Sequence, residues 1–312
     1  MINALLGLFV RAAVVLSGTA IATFVLLWYA PGDPALAIAM ARYDSVVPAE
    51  VVDIVRAEAG LDEGFWAAFK SWIGPLLVGD FGKSSVSGRP IWPDLMTAMS
   101  YTVPLAFAGL FIGLAIAVPL AALAVRHYGG WLDRFAIAVA SLGNAIPPFW
   151  LGLLLILVFA VHLAWLPAMG ARTPAHAVLP AITLGLGVAA ALTRIIRSGL
   201  LEARGQPFLP ALRRRGVSKS HLARDHIAPH AAIPVVTVFG LELAFLLEGL
   251  VLVEVIFARP GLGIFLVEAI SQRDFPKVQA VVILTALIFV TINLLIDALY
   301  QAIDPRIGER NA

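Results

Sequence analysis

Six long apolar segments divide this sequence and constrain its fold more than any other feature. Each is long enough for an α-helix to cross a bilayer, which takes about 20 residues at about 1.5 Å per residue. Only 13% of the 312 residues are charged and 60% are hydrophobic, whereas a soluble domain carries about 25% charged residues. We therefore predict an all-α integral membrane protein with six transmembrane helices, near residues 5–30, 101–125, 135–165, 177–196, 233–256 and 278–300.

The first apolar segment has two interpretations, a cleaved signal peptide or a retained helix. A signal peptide has a basic leader followed by a shorter apolar core, and here the one charge is Arg11, within the apolar run. We expect residues 1–30 to form the first transmembrane helix. Pro31-Gly32-Asp33-Pro34 should end this helix, because proline lacks an amide N–H and Gly-Asp favours a turn.

Residues 31–99 are mixed in charge and should form a small extracytoplasmic segment. We expect one or two short amphipathic helices within residues 47–72. The segment is too short to build a large core of its own.

Residues 100–303 should form a core of the remaining five helices. Gly109 and Gly113 have the GxxxG spacing that lets a neighbouring helix approach closely, and we assign them to packing. In the long third segment, Asn144, Pro147 and Pro148 should bend or break the helix. Broken membrane helices occur beside transport pathways, but a kink that only shapes packing explains the same residues equally well.

A basic segment interrupts this core at about residues 205–226. Because Lys and Arg concentrate on the cytoplasmic side, this segment, both termini and the tail of residues 304–312 should be cytoplasmic. Membrane topology or anionic lipid would explain the charge alone, and nucleic-acid binding is disfavoured because no aromatic residues alternate with the basic ones. Gly216-Val217-Ser218 predicts a corner between two short helices, with Ser218 capping the second. Such a rigid knob is a surface that a partner protein could contact.

The motifs disfavour catalysis and metal binding. The chain has no cysteine, which removes disulfides and thiol chemistry. Gly82-Lys83-Ser84 is similar to the end of a phosphate-binding loop, but Leu77 stands where that loop requires its first glycine. His226 and His230 are spaced four apart without a third strong ligand, and neither a GxSxG nor an HExxH motif occurs. We expect no metal and no directly bound cofactor.

Four carboxylates lie within the apolar segments or at their ends: Glu242, Glu248, Glu254 and Asp297. A buried carboxylate is costly in a membrane, so each should face protein or water rather than lipid. They could line a pathway for a cation or a proton, or they could hydrogen-bond to neighbouring helices and stabilise the bundle. The second interpretation is preferred for Glu248 and Glu254, near the outer end of their helix.

Several sequence blocks, taken in order, resemble one family. They are Pro31-Gly32-Asp33-Pro34, residues 79–84 (GDFGKS), Trp165-Leu166-Pro167 and the blocks HIAPHAAIPVVTVFGLEL, EVIFARPGLG, RDFPKVQ and NLLIDALYQAIDPRI within residues 226–306. In these features the chain resembles the permease subunits of binding-protein-dependent ABC importers of the dipeptide/oligopeptide/nickel group. The resemblance implies structural roles for His226, Pro234, Pro260, Gly261, Gly263, Asp274, Pro276, Asn293, Asp297, Asp304, Pro305 and Arg306.

The resemblance also implies a type I ABC importer permease fold with a site for an ATPase. In that family the cytoplasmic loop before the fifth helix carries the EAA motif, whose coupling helices dock into the ATPase. Residues 208–218 occupy this place, and the implied coupling residues are Ala211, Leu212, Arg213, Arg214, Arg215, Gly216 and Ser218. The chain departs from the usual A-R-A-K-G pattern at Leu212 and Arg214, and it has His230 where the family usually has asparagine.

The working cycle of that family implies partners rather than catalysis by this chain. The implied partners are a second, homologous permease subunit, two ATPase subunits that bind ATP, and an extracytoplasmic solute-binding protein. That protein would deliver a peptide, a nickel chelate or a related small solute to the inner membrane. The alternative is a secondary transporter or channel that works without an ATPase. The candidate pathway or gating residues are Asn144, Pro147, Pro148, Glu242, Glu248 and Glu254.

Overall fold

The computed structural model describes residues 2–43, 47–227, 242, 246 and 249–303. The long helices there are α1 (Ile2–Trp28), α5 (Ile91–Arg126), α8 (Val178–Arg204) and α13 (Phe275–Ile303). The shorter helices are α2 (Pro34–Tyr43), α3 (Ala49–Glu58), α4 (Phe65–Leu77), α6 (Trp131–Ala145), α7 (Pro148–Leu155), α9 (Phe208–Arg214), α10 (Lys219–His221), α11 (residues 249–256) and α12 (Leu262–Ser271). Turns of π-helix extend α7 over Ile156–His162 and α10 over Leu222–Ile227, and a 3₁₀ turn, Pro174–Ala177, precedes α8.

Four helices of the described chain are long and apolar enough to cross a membrane, namely Phe9–Trp28, Ile91–Arg126, Pro174–Arg204 and Phe275–Ile296. The bent pair α6 and α7 provides a fifth crossing if it is counted as one span. The predicted span at residues 233–256 lies largely outside the described residues. The prediction of an all-α membrane protein is confirmed, and the structure accounts for four or five of the six predicted spans.

The predicted break in the third apolar segment is confirmed. Helix α6 ends at Ala145, α7 begins at Pro148, and the two are bent by 99°. Pro147 is the N-cap of α7 and Pro148 its first residue. Proline is well suited to this place, because the first amides of a helix have no intrahelical acceptor.

One compact unit comprises residues 102–259 together with the chain from residue 292. Helix α8 is its most buried span, and Leu184, Val188 and Leu192 join a core cluster with residues of α5 and α11. The predicted close approach at the GxxxG pair is confirmed. A Cβ atom on Gly113 would lie 2.5 Å from the Val188 Cγ1, and one on Gly185 would lie 2.6 Å from the Ile112 Cγ2.

The other compact unit comprises residues 1–101 and 260–291. Apolar side chains of α5, α12 and α13 form one cluster, and α2 and α3 form another. Helix α4 has no buried residue, but it packs an aromatic face on α1. The Phe24 ring lies 5.3 Å from Phe65, 5.1 Å from Phe69 and 5.5 Å from Trp72, measured between centroids. These aromatic contacts hold α4 against the end of the first span.

The prediction of short helices within residues 47–72 is confirmed by α3 and α4, but α2 was missed. Pro31-Gly32-Asp33-Pro34 ends α1 as predicted and also starts α2, because the Asp33 carboxylate accepts the Ala35 N–H at 2.9 Å. The Arg56 guanidinium donates to the same carboxylate at 2.6 Å. Partial burial raises the pKa of Asp33, but the hydrogen bonds from Arg56 and Ala35 outweigh it and lower the pKa below its ordinary value.

Two boundaries differ from the sequence-based prediction. Helix α5 begins at Ile91, well before the predicted start near residue 101, because Ile91 and Leu95 are buried in a cluster with residues of α12 and α13. Residues 257–277, predicted as a loop with an apolar middle, contain α12. Its buried Leu262 and Ala269 are one reason this short segment is helical.

Candidate functional site

The basic segment forms two short helices joined at a glycine, as predicted. Helix α9 is followed by Gly216, whose φ of 80° is a left-handed conformation that favours glycine. The Ser218 hydroxyl then accepts the His221 N–H at 3.3 Å and caps α10. Helix α9 starts at Phe208 rather than near Ala211, because Pro210 falls within the first turn, where proline is tolerated.

This segment, residues 208–227, has a buried apolar side and an exposed basic side. Leu209 and Leu222 are buried, one in each half. Arg213, Arg214 and Arg215 are all exposed. None of the three guanidinium groups forms a salt bridge with any residue that the structure describes. The segment therefore has a cationic exposed side and an apolar base. We call it the coupling segment, because the family resemblance implies a coupling role for these residues.

The histidines of the coupling segment make local contacts. His221 Nδ1 lies 2.7 Å from the Asp225 carboxylate, and the His226 ring meets the edge of Phe208 with centroids 6.2 Å apart. In the described part of the chain no three His, Cys, Asp or Glu residues are grouped to hold a metal ion. His230 lies outside that part.

Three of the candidate pathway residues meet at one cavity, which we call the α6–α7 cavity. Its volume is about 410 Å³, and Asn144, Pro148 and Glu242 contribute to its lining. The remaining lining is mostly apolar and glycine-rich, and it comprises Gly143, Ile146, Thr183, Leu184, Gly187, Val188, Leu246 and Gly249. The Thr183 hydroxyl donates to the Leu179 carbonyl at 2.9 Å. The side chains of Asn144 and Glu242 are therefore the main polar groups available to a solute there.

Glu254 has a different environment from Glu242. It is completely buried and accepts a hydrogen bond from the Thr102 hydroxyl at 2.6 Å. Its backbone carbonyl accepts the Arg259 N–H at 2.8 Å. Glu254 does not line the α6–α7 cavity, so its contacts favour the structural interpretation. Glu248 lies outside the described residues.

Three of the motif blocks that are far apart in sequence converge in the unit of residues 1–101 and 260–291. The buried Asp274 carboxylate accepts the Ser84 hydroxyl at 2.5 Å and the Ser85 N–H at 3.0 Å. The neighbouring Arg273 donates to the Pro31 carbonyl. Gly32 has a φ of 101°, a left-handed conformation that favours glycine. These motifs hold together the short helices and loops of this unit.

The other motif residues of the described chain also hold local structure. Gly261 is the N-cap of α12, Gly263 is buried within it, and Pro260 precedes it. Pro276 belongs to the first turn of α13 and lines an apolar pocket with Phe24 and Trp72. Asn293 lies further along α13. The side chain of Asp297 lies outside the part of the chain that the structure describes. The whole of Pro234, Asp304, Pro305 and Arg306 also lies outside it.

Sequence reasoning missed one buried ion pair. Arg197 Nε donates to Asp133 Oδ1 at 2.6 Å and Arg197 Nη2 donates to Asp133 Oδ2 at 2.9 Å. The Asp133 carboxylate also accepts the Gly129 N–H at 2.9 Å. Asp133 belongs to the first turn of α6 and Arg197 to α8, so no local pattern links them.

Comparisons with known proteins identify the family of the chain. Residues 109–309 match the family described as "Binding-protein-dependent transport system inner membrane component". The chain belongs to this family. It is a multi-pass inner-membrane permease component of an ABC importer.

Two relatives of this permease illustrate the breadth of the match. The glutathione transport system permease protein GsiC of Escherichia coli K12 is 37% identical over 306 residues, which cover 98% of this chain and 97% of the relative. The protein of that name from Salmonella paratyphi A is 37% identical over 288 residues, covering 92% and 93% of the two chains.

Solved structures support the permease fold. A chain of the inward-facing MetNI methionine ABC transporter superposes with a TM-score of 0.58 at 19% identity, covering 67% of this chain and 96% of that one. A chain of an amino acid ABC transporter crystallised with histidines gives a TM-score of 0.53 at 17% identity, covering 67% and 94%. The type I ABC importer permease fold that the resemblance implied is confirmed.

Proposed function

We propose that this permease imports a small peptide-like solute, with glutathione as the first compound to test, using ATP hydrolysed on separate subunits. A binding protein delivers the solute at the outer face, and a second homologous permease subunit completes the pathway. Two ATPase subunits engage the cytoplasmic face. The chain itself binds no cofactor directly, and its non-protein partner is the membrane lipid rather than nucleic acid.

The match to GsiC over 98% of the chain carries this proposal. A relative of such identity over nearly its full length supports a similar assembly, in which separate subunits deliver the solute, form the pathway and hydrolyse ATP. That relative is a glutathione transport system permease protein, and this is the reason for choosing glutathione ahead of a nickel chelate or a longer peptide.

The coupling segment is the proposed contact with the ATPase. Its buried Leu209 and Leu222 hold the two short helices in place, while the Gly216 corner gives them a fixed angle. A rigid body can transmit a push that a flexible loop would absorb. The exposed Arg213, Arg214 and Arg215 would meet acidic groups of the ATPase, because like charges across an interface are strongly unfavourable.

Charge reversal tests this contact. The transporter, reconstituted in vesicles with its ATPases, partner permease and binding protein, should take up glutathione only with ATP. Arg213, Arg214 and Arg215 are replaced by Glu. The ratio of ATP-dependent uptake to ATP hydrolysis should then fall at least about fivefold, because ordinary coupling between sites begins at about this factor. Arg172→Glu, an exposed charge reversal outside the coupling segment, is the control and should leave this ratio unchanged.

Two results would count against the proposal at different levels. Normal uptake by the triple variant would contradict the proposed contact between the coupling segment and the ATPase. It would not contradict the proposed import function. Uptake that proceeds without ATPase subunits would instead support the secondary transporter and contradict the ATP-driven mechanism.

A further inference from the structure

The α6–α7 cavity contains an acidic side chain, Glu242, for which the described residues provide no partner. Glu242 is partly buried and lines the cavity beside Asn144. Neither side chain forms a hydrogen bond or an ion pair within the part of the chain that the structure describes. A carboxylate in an apolar cavity of a membrane protein is unfavourable unless water, a cation or a hydrogen-bond donor compensates it. Glu242 is therefore a candidate ligand-binding group.

The end of α6 adds hydrogen-bond acceptors to the same cavity. Helix α6 ends at Ala145, and Gly143, Asn144 and Ile146 at this end line the cavity. The carboxyl end of a helix carries a partial negative charge of about half an elementary charge, and its last carbonyls lack intrahelical donors. Because α7 turns away by 99°, these carbonyls are not capped by a continuing helix. The last carbonyls of α6 therefore supply hydrogen-bond acceptors, and Glu242 supplies the negative charge that favours a cation.

The charge of Glu242 is only partly offset by its surroundings. Arg194 of α8 is close enough to attract the Glu242 carboxylate, but it is exposed and forms no salt bridge with it in the described chain. The Glu242 carboxylate therefore remains available for direct contact with a ligand.

We propose that the α6–α7 cavity binds the cationic amino group of the transported solute. Glu242 pairs with the ammonium, and the Asn144 side-chain oxygen and the last carbonyls of α6 accept its remaining hydrogen bonds. The volume of about 410 Å³ lies in the range of about 300–1,000 Å³ usual for small-molecule sites. This inference rests on the proposed import function and names the solute class it admits: small zwitterions with a free ammonium.

The absence of cysteine from the sequence allows a direct test that needs no transport. Asn144→Cys places one thiol in the cavity of the assembled transporter. Its rates of reaction with a cationic and an anionic methanethiosulfonate reagent of similar size are measured by the mass of this chain. Adding Glu242→Gln should lower the cation-to-anion rate ratio about fivefold or more, since a nearby charge acts oppositely on the two reagents. Glu242→Asp, which keeps the charge, should preserve the ratio.

Controls make the labelling result decisive. Ser87→Cys, an exposed thiol in the extramembrane segment, should show a ratio insensitive to Glu242→Gln. Ile146→Cys, which also lines the cavity, repeats the measurement if Asn144→Cys does not assemble. An unchanged ratio at the cavity thiol, or a cavity thiol that reacts with neither reagent, would overturn the proposal.

A transport measurement separates this inference from the proposed function. Uptake of glutathione and of its N-acetyl derivative is compared for the wild type and for Glu242→Gln with the same binding protein. The variant should lose at least about fivefold more uptake of glutathione than of the acetylated form, because only the first carries the ammonium. Equal losses would contradict ammonium recognition. Absence of ATP-dependent glutathione uptake by the wild type would instead contradict the proposed function, and the labelling ratio would still decide the charge selectivity of the cavity.

Discussion

At the scale of single residues, a buried ion pair between Asp133 and Arg197 links α6 to α8. The Asp133 side chain is only 4% exposed and that of Arg197 19%. The pair is bidentate, and the Tyr128 ring lies 5.6 Å from the guanidinium carbon. A buried pair of this kind adds little over an apolar contact, but the loss of one partner leaves an uncompensated charge.

Asp133→Asn should therefore destabilise the protein by about 3 kcal/mol, because Arg197 would remain largely buried without its counter-charge. The melting temperature of the purified permease in detergent should fall by several degrees. Asp94→Asn is the matched control, because its partner Arg89 is 3.6 Å away and 71% exposed. The control should change stability by less than about 1 kcal/mol. Equal melting temperatures for the two variants would refute the importance of the buried pair.

At the scale of helices, close packing between α5 and α8 depends on glycine. Gly109 and Gly113 of α5 meet Leu184, Gly185 and Val188 of α8. Because apolar burial drives helices together only weakly in lipid, such backbone proximity supplies much of the attraction between transmembrane helices.

Gly113→Ala should destabilise the helix pair by about 1–3 kcal/mol, the usual cost of overpacking a tight contact. The added Cβ would lie 2.5 Å from the Val188 Cγ1, so one helix has to move. Thermal denaturation and the yield of assembled permease measure the loss. Gly18→Ala in α1, where nothing lies within 4 Å of the new Cβ, is the control. A Gly113→Ala variant as stable as Gly18→Ala would show that the contact relaxes without cost.

At the scale of the whole molecule, orientation in the membrane decides which surface meets which partner. The proposed contact with an ATPase requires the coupling segment to lie on the cytoplasmic side. An even number of crossings places both termini on one side, and the concentration of Lys and Arg around the coupling segment favours the cytoplasm for that side.

Reporter fusions test this topology. Alkaline phosphatase, which folds only outside the cytoplasm, should be active when fused after Asp62 and inactive when fused after Ala312. Green fluorescent protein should show the reverse pattern. An active phosphatase after Ala312 would mean an odd number of crossings or the opposite orientation, and either outcome would contradict the six-span prediction.

The predictable part of the fold came from local patterns. Pro147-Pro148 placed the break, Gly109 and Gly113 marked a helix contact, and Gly216 to Ser218 marked the corner of the coupling segment. Each depends on the backbone geometry of adjacent residues, so a short stretch of sequence is enough. The start of α5 and the existence of α12 were not predicted, because their helical ends depend on burial against distant segments.

The sequence by itself determined the membrane class, the helical architecture, the positions of helix breaks and corners and, through its motifs, the family. Only the tertiary structure decided which polar groups meet: Asp133 with Arg197, Ser84 with Asp274, and Asn144 with Glu242 in one cavity. It also separated Glu242, in the cavity, from Glu254, buried against Thr102. The physical reason is the distance along the sequence over which each kind of interaction acts. Periodicity and turn chemistry act over a few residues, whereas these pairings depend on how long helices pack against one another.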